Sequence, residues 1–143
     1  MKKRVLFDTN VVLDFLLERP PFFSEAVTAL NMVSQGRVVG FISAHAVTTL
    51  FYILSRKVTS EKAKDIISDL LKTFSVAAVT EKVIKQAVAS KFKDFEDAVS
   101  HYAALEERVT MIVSRNIKDY LKSDIPVILP KVFISTTLEV DAK

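Results

Sequence analysis

Two hydrophobic rhythms alternate along the chain. Val5-Leu6-Phe7, Val38-Val39-Gly40-Phe41-Ile42, Val76-Ala77-Ala78-Val79, Met111-Ile112-Val113 and Val127-Ile128-Leu129 are short and almost wholly apolar. Such runs, with no polar alternation, predict strands covered on both faces, as in a parallel sheet. Between them, apolar residues recur at helical spacing. Val47, Leu50, Phe51 and Leu54 stand at i, i+3, i+4 and i+7 after Ser43, a candidate N-cap. Ala63, Ile66, Ile67, Leu70 and Leu71 repeat the stripe after Ser60, and Phe95, Ala98, Val99 and Tyr102 repeat it after Asp94. Residues 22–35 predict another helix, stopped by Gly36. A further one begins near Val11, behind the capping-type residues Asp8-Thr9-Asn10. Strands alternating with helices predict an α/β fold with a parallel sheet.

Nothing in this pattern divides the chain. Its 143 residues suit one domain able to bury roughly 70% of its unfolded surface. Residues 1–135 are read as that domain and residues 136–143 as a weakly structured tail. A hydrophobic fraction of 50% excludes global disorder. Met1-Lys2-Lys3-Arg4 has the charge of an export signal, but only Val5-Leu6-Phe7 stand before Asp8, against the roughly 7–15 apolar residues required. No run approaches the roughly 18 apolar residues of a membrane span, so no membrane partner is expected. The absence of cysteine excludes disulfides and thiolate chemistry and suits the cytoplasm. The net charge of +3 permits nucleic-acid contact without requiring it.

The acids change the picture. In open parallel sheets, ligands gather beyond the carboxyl ends of the strands. The first strand ends in Asp8-Thr9-Asn10 and the fourth in Ser114-Arg115-Asn116, with Asp119 a turn later. The helix before the fourth strand opens with Asp94-Phe95-Glu96-Asp97. Capping explains each group singly; it does not require all of them at one end of a sheet. Two carboxylates about 4 Å apart repel by roughly 4 kcal/mol at an effective dielectric near 20, a cost that a divalent cation removes. All-oxygen donors select Mg²⁺ or Mn²⁺, and such an ion can act on a phosphodiester. Asp94, Asp97 and His101 share a helix face at i, i+3 and i+7, away from Phe95, Val99 and Tyr102. His101 is read as a boundary residue.

Taken in order, four motifs resemble the PIN-domain family of metal-dependent nucleases, over residues 3 to about 132. They are the strand running into Asp8-Thr9-Asn10-Val11 with Leu13-Asp14 after it, the Ile42-Ser43 strand end, Asp94-Phe95-Glu96-Asp97-Ala98, and Val113-Ser114-Arg115-Asn116-Ile117-Lys118-Asp119-Tyr120. The resemblance implies a three-layer α/β/α sandwich holding Mg²⁺ or Mn²⁺ in an acidic pocket. Asp8 matches the first metal-binding acid and Asp97 the acid followed by Ala, with Asp94 beside it. Asn116 stands where many members have Asp, and Asp119 is the nearest acid. Thr9, Asn10 and Ser114 match residues that brace the acids. The implied catalytic set is Asp8, Asp97 and Asp119. Many bacterial members are ribonuclease toxins paired with a small antitoxin, and many are homodimers, so RNA, an antitoxin and a second copy are the implied partners. Lys93, Arg115 and Lys118 would receive the RNA backbone electrostatically.

One position departs from the family. The usual Glu six residues after the serine is Thr49 here, and no acid occurs from Phe41 to Thr59. Thr49 lies off the Val47/Leu50 stripe, which leaves it free to face the pocket uncharged. The departure motivates a second reading, a catalytically weakened module that binds RNA or a protein. Transfer through an aspartyl phosphate is disfavoured, because its general acid would fall on Asn10. Gly-rich nucleotide loops and a Gly-x-Ser-x-Gly serine site are absent.

Overall fold

The computed structural model describes residues 1–142. Strands β1 (Arg4–Phe7), β2 (Val39–Ser43), β3 (Ser75–Ala77), β4 (Met111–Val113) and β5 (Val127–Ile128) form one parallel sheet in the order β3-β2-β1-β4-β5. Leu6 pairs with Phe41 on one side and Ile112 on the other. These three side chains meet the same core, together with Val83, Val99 and Ala103. Val5 and Phe7 point the other way, into a second core with Val11, Leu50, Phe74 and Phe133. The period of two along a strand thus feeds two hydrophobic layers, which is why the strand runs lack polar alternation.

Seven α-helices among the described residues cover the sheet. Helices α1 (Thr9–Leu16), α2 (Phe23–Ser34), α3 (Ala44–Leu54), α4 (Ser60–Leu71) and α7 (Pro130–Ala142) bury residues in the Phe7 layer. Helices α5 (Glu81–Ala89) and α6 (Phe95–Glu106) serve the Leu6 layer. This is the α/β/α sandwich expected from the motifs. Gly36, φ +76°, ends α2 as anticipated, a backbone angle that favours glycine. Gly40 marks a close approach: a Cβ there would stand 2.8 Å from both Val33 methyls.

Several expectations need correction. Helices α5 and α7 are additions to the predicted elements, and only α7 lacks a clear apolar stripe. Helix α5 buries only Val83 and Ala87. Helix α7 is rich in β-branched residues, which are poor helix formers, and is held by Phe133, fully buried against Phe7. The expected weak tail is therefore helical through Ala142; Lys143 lies outside the described residues. Thr59, not Ser60, caps α4, accepting the Lys62 N–H. Ser43 occupies the N-cap of α3 without a side-chain capping bond. Phe95, expected on the buried stripe of α6, is 50% exposed, and His101 replaces it in the core at 0%.

Chain order fixes where a ligand can sit. The chain builds β1, β2 and β3 outward to one side, then returns to the other side of β1 for β4. The order reverses between β1 and β4, where the connections diverge and leave a crevice at the carboxyl ends.

Candidate active site

Asp8 leaves β1 at that crevice and becomes the N-cap of α1. Its backbone N–H donates to Val113 O across the β1–β4 seam at 2.9 Å. Its carboxylate is held at both oxygens. Thr9 N–H donates to Oδ1 at 2.8 Å, and Ser114 Oγ–H donates to Oδ2 at 2.7 Å. Ser114 is fully buried, and its Oγ also accepts the Asn116 N–H at 3.0 Å. One hydroxyl therefore ties the loop after β4 to the acid at the end of β1. Asn10 turns the same corner, and its side-chain Oδ1 is buried with no hydrogen-bond partner among the described residues.

The second group of acids arrives on α6. Asp94 caps this helix, accepting the Asp97 N–H on Oδ1 at 3.0 Å. The capping explanation is thus correct for Asp94, and among the described residues its other carboxylate oxygen accepts no hydrogen bond. A 3₁₀ turn, Ile117–Tyr120, brings Asp119 from the other side. Asp8, Asp94, Asp97, Asn116 and Asp119 line one open cleft of about 280 Å³ with Thr9 and Asn10. The buried Ser114 stands behind Asp8.

Five wall residues are not in the predicted set: Leu13, Arg19, His45, Glu96 and Ser100. Glu96 adds a fifth carboxylate, and His45 occupies the α3 wall. The Asp94-Phe95-Glu96-Asp97 run already signalled Glu96; no local pattern signalled His45. His45 Nε2 lies 3.2 Å from Glu96 O and 3.4 Å from Ser100 Oγ. A carbonyl can only accept, so Nε2 carries the hydrogen; Nδ1 is buried without a partner. Burial pushes the His45 pKa down, keeping the ring neutral. Thr49, by contrast, does not line the cleft. Its hydroxyl folds back onto His45 O at 3.2 Å. His101 is also elsewhere, accepting the Asp124 N–H at 3.0 Å and packing on Phe92 and Tyr102.

The predicted cations divide. Lys93 and Lys118 meet in an adjoining depression with Lys91 and Lys122, next to Asp119. Lys91 and Lys122 are additions to the expected set. Arg115 lines the acidic cleft but is engaged by Asp14, with Nε 2.6 Å from Oδ2.

Electrostatics mark this cleft as a site. Burial pushes the Asp97 carboxyl up to about 7, and the charges of Asp8, Asp94 and Asp119 add to the shift. The Asp8 carboxyl is also raised, chiefly by burial, against the lowering effect of the Ser114 and Thr9 hydrogen bonds. Tyr120 Oη, buried beside Asp97 and Ser100 without a hydrogen bond of good geometry, is pushed far above the ordinary phenol range by burial and by the Asp8 and Asp97 charges. Like charges have been gathered where water is scarce, a pattern characteristic of functional sites.

The sign of the Asp97 shift gives a test. Between pH 3.8 and about 7 the folded protein holds a proton that the unfolded chain has released. The associated stability is full below the lower value and is lost as pH rises through the higher one. Asp97→Asn removes the titration. With chelator present, its Tm should match wild type near the lower pH limit. Above neutral pH it should exceed wild type by several degrees, on the order of 2 kcal/mol. A Tm difference that does not change with pH would contradict this account.

Among the described residues, no three His, Asp or Glu side chains form a ready-made metal cage. A hydrated Mg²⁺-type ion keeps several waters and takes one or two carboxylates plus substrate phosphate. The donor chemistry fits: open carboxylates on three elements and the unpartnered Asn10 Oδ1, with no thiolate and a single histidine on the wall.

A toxin–antitoxin complex from Klebsiella pneumoniae contains a chain 25% identical to this one, with a TM-score of 0.66 over 88% of this chain and 97% of that one. VapBC2 from Rickettsia felis, bound to a fragment of its promoter DNA, is 14% identical, with a TM-score of 0.64 over 87% and 96%. Mycobacterium tuberculosis VapC20, described as a sarcin-ricin-loop-cleaving toxin, is 16% identical, with a TM-score of 0.59 over 76% and 86%. No curated protein matches by sequence. A family model for the PIN domain matches residues 4–118, from the first residue of β1 into the 3₁₀ turn, and the chain belongs to the PIN-domain family.

Proposed function

We propose that this protein is a Mg²⁺- or Mn²⁺-dependent endoribonuclease and the toxin of a toxin–antitoxin pair. The convergence of Asp8, Asp94, Asp97 and Asp119 on one cleft, with Asp97 raised to about 7, carries this reading. Asp8 and Asp97 would hold the ion; Asp94, Asn116 and Asp119 would complete its shell directly or through water. A bound ion of this kind lowers the pKa of a water and neutralises charge on the phosphodiester.

The chain's own residues do the rest. Thr9 N–H and Ser114 Oγ–H fix the Asp8 carboxylate so that its remaining lone pairs face the cleft. Before an ion binds, burial and the neighbouring acids keep Asp97 protonated up to about neutral pH, so binding the ion would release that proton. Lys91, Lys93, Lys118 and Lys122 draw the RNA backbone to the cleft's edge. The Klebsiella and Rickettsia relatives support an antitoxin partner, and VapC20 supports RNA as substrate. An open apolar groove between α3 and α4, lined by Val47, Phe51, Ile67 and Leu71, offers a surface for an antitoxin or for the second copy of a homodimer. The proposed compartment is the cytoplasm; no helix among the described residues is long and apolar enough to cross a membrane.

The placement of Thr49 outside the cleft favours one other reading, a binding module with weakened catalysis. Cleavage of labelled RNA with Mn²⁺ against chelator, alongside thermal unfolding, separates the two. The nuclease reading expects metal-dependent cleavage and a Tm gain of several degrees at millimolar Mn²⁺, since an ion at a hundred times its Kd stabilises by about 2.7 kcal/mol. RNA binding with neither effect would establish the module instead.

A further inference from the structure

Asp14 has no part in the reaction described above, yet its surroundings are unusual. It stands on α1, and its side chain is almost fully buried. Two guanidiniums close on it. Arg115 places Nε 2.6 Å from Oδ2 and Nη2 3.3 Å from Oδ1. Arg19 places Nε 2.9 Å from Oδ1, and its Nη2 reaches Asn10 O at 3.2 Å. The Phe22 ring lies 3.9 Å from the Arg115 guanidinium carbon. Both arginines line the same cleft as Asp8 and Asp97.

One carboxylate needs one guanidinium for neutrality, so the second leaves a unit of positive charge on the cleft wall. The Nη1 groups of both arginines make no hydrogen bond among the described residues. Guanidinium donors match phosphate oxygens in a planar fork. Both side chains are already ordered by Asp14, Asn10 and Phe22, so a ligand need not order them. A cleft with five carboxylates repels a polyanion; a fixed cationic wall offsets that repulsion without touching the acids.

We propose that Asp14 is a positioning residue holding Arg19 and Arg115 as a preformed fork for one phosphate of the RNA strand, beside the bond cut at Asp8 and Asp97. This rests on the ribonuclease reading. The plain alternative is a structural tie between α1 and the loop after β4.

Binding of a short fluorescein-labelled single-stranded RNA, measured over a range of NaCl in an Asp8→Asn background, tests the fork. Arg19→Gln and Arg115→Gln should each weaken binding about tenfold at low salt. Each should lower the slope of log K against log salt by about 0.7, the value for one lost phosphate contact on a single strand. Arg115→Lys should restore the slope but not the affinity, because charge returns without the fork. Asp14→Asn keeps both charges, so its affinity should fall at an unchanged slope. In cleavage assays without the background substitution, the two Gln variants should lose about tenfold in kcat/KM, through KM. Circular dichroism checks folding; if Asp14→Asn fails to fold, the arginine variants still decide. Wild type that cleaves RNA, with both Gln variants keeping the parent slope and affinity, overturns the fork alone. Wild type that neither binds nor cleaves RNA overturns the ribonuclease reading, and the fork with it.

Discussion

Asp8→Asn is expected to reduce Mn²⁺- or Mg²⁺-supported RNA cleavage by about a hundredfold or more. The change is nearly isosteric, and the surroundings accept it. Asn is as good an N-cap as Asp, so Thr9 N–H keeps its acceptor at the start of α1. Ser114 Oγ can turn from donor to acceptor toward an amide. The lost property is the charge alone, at a carboxyl whose ionised form is already disfavoured by burial. Folding and Tm in chelator should therefore be unchanged or slightly improved while activity disappears. Initial rates on a labelled RNA, with Tm measured on the same preparations, make the comparison. Equal rates for wild type and variant would trace the cleavage to a contaminating nuclease.

Phe7→Ala should cost about 3–5 kcal/mol and lower the Tm by more than about 10 °C. Phe7 is 1% exposed, and its ring meets Phe74 and Phe133 edge-on at 5.6 and 5.5 Å. It joins β1, the segment before β3 and α7 in one contact, so truncation opens a cavity that three elements would have to close together. It also directly precedes Asp8, which couples core packing to the site. Phe95→Ala is the control. That ring is 50% exposed at the start of α6, and its loss should stay within about 0.5 kcal/mol. Thermal unfolding of the two variants decides, and a Phe7→Ala Tm close to that of Phe95→Ala would refute the packing account.

The two phenylalanines show how far the sequence could be read. Phe7 closes the wholly apolar run Val5-Leu6-Phe7, and burial on both sides of a parallel sheet follows from that run alone. Phe95 fits a helical stripe by spacing, but spacing does not say which of two neighbouring arcs faces the sheet. The arc through Ala98, His101 and Ala104 took that place. Helix α7 is not legible for a related reason: its β-branched residues argue locally against helix, and only the pocket at Phe7 gives Phe133 a reason to be there. Asp8, Asp94 and Asp97 were legible because they terminate or begin strongly patterned elements. His45 was not, since nothing around it in sequence distinguishes a cleft wall from a surface.

The chain's residue order alone therefore determined the α/β class, the five parallel strands, and the acids at their carboxyl ends. Those features depend on local periodicity and on caps, which act over a few residues. The strand order, and with it the switch point between β1 and β4, was decided only by the tertiary structure. So were the Ser114 hydroxyl on Asp8, the exclusion of Thr49 from the cleft, and the two arginines on Asp14. The Arg115–Asp14 and Ser114–Asp8 contacts span 101 and 106 residues, and a contact of that range is set by how packed layers meet, which no local pattern encodes.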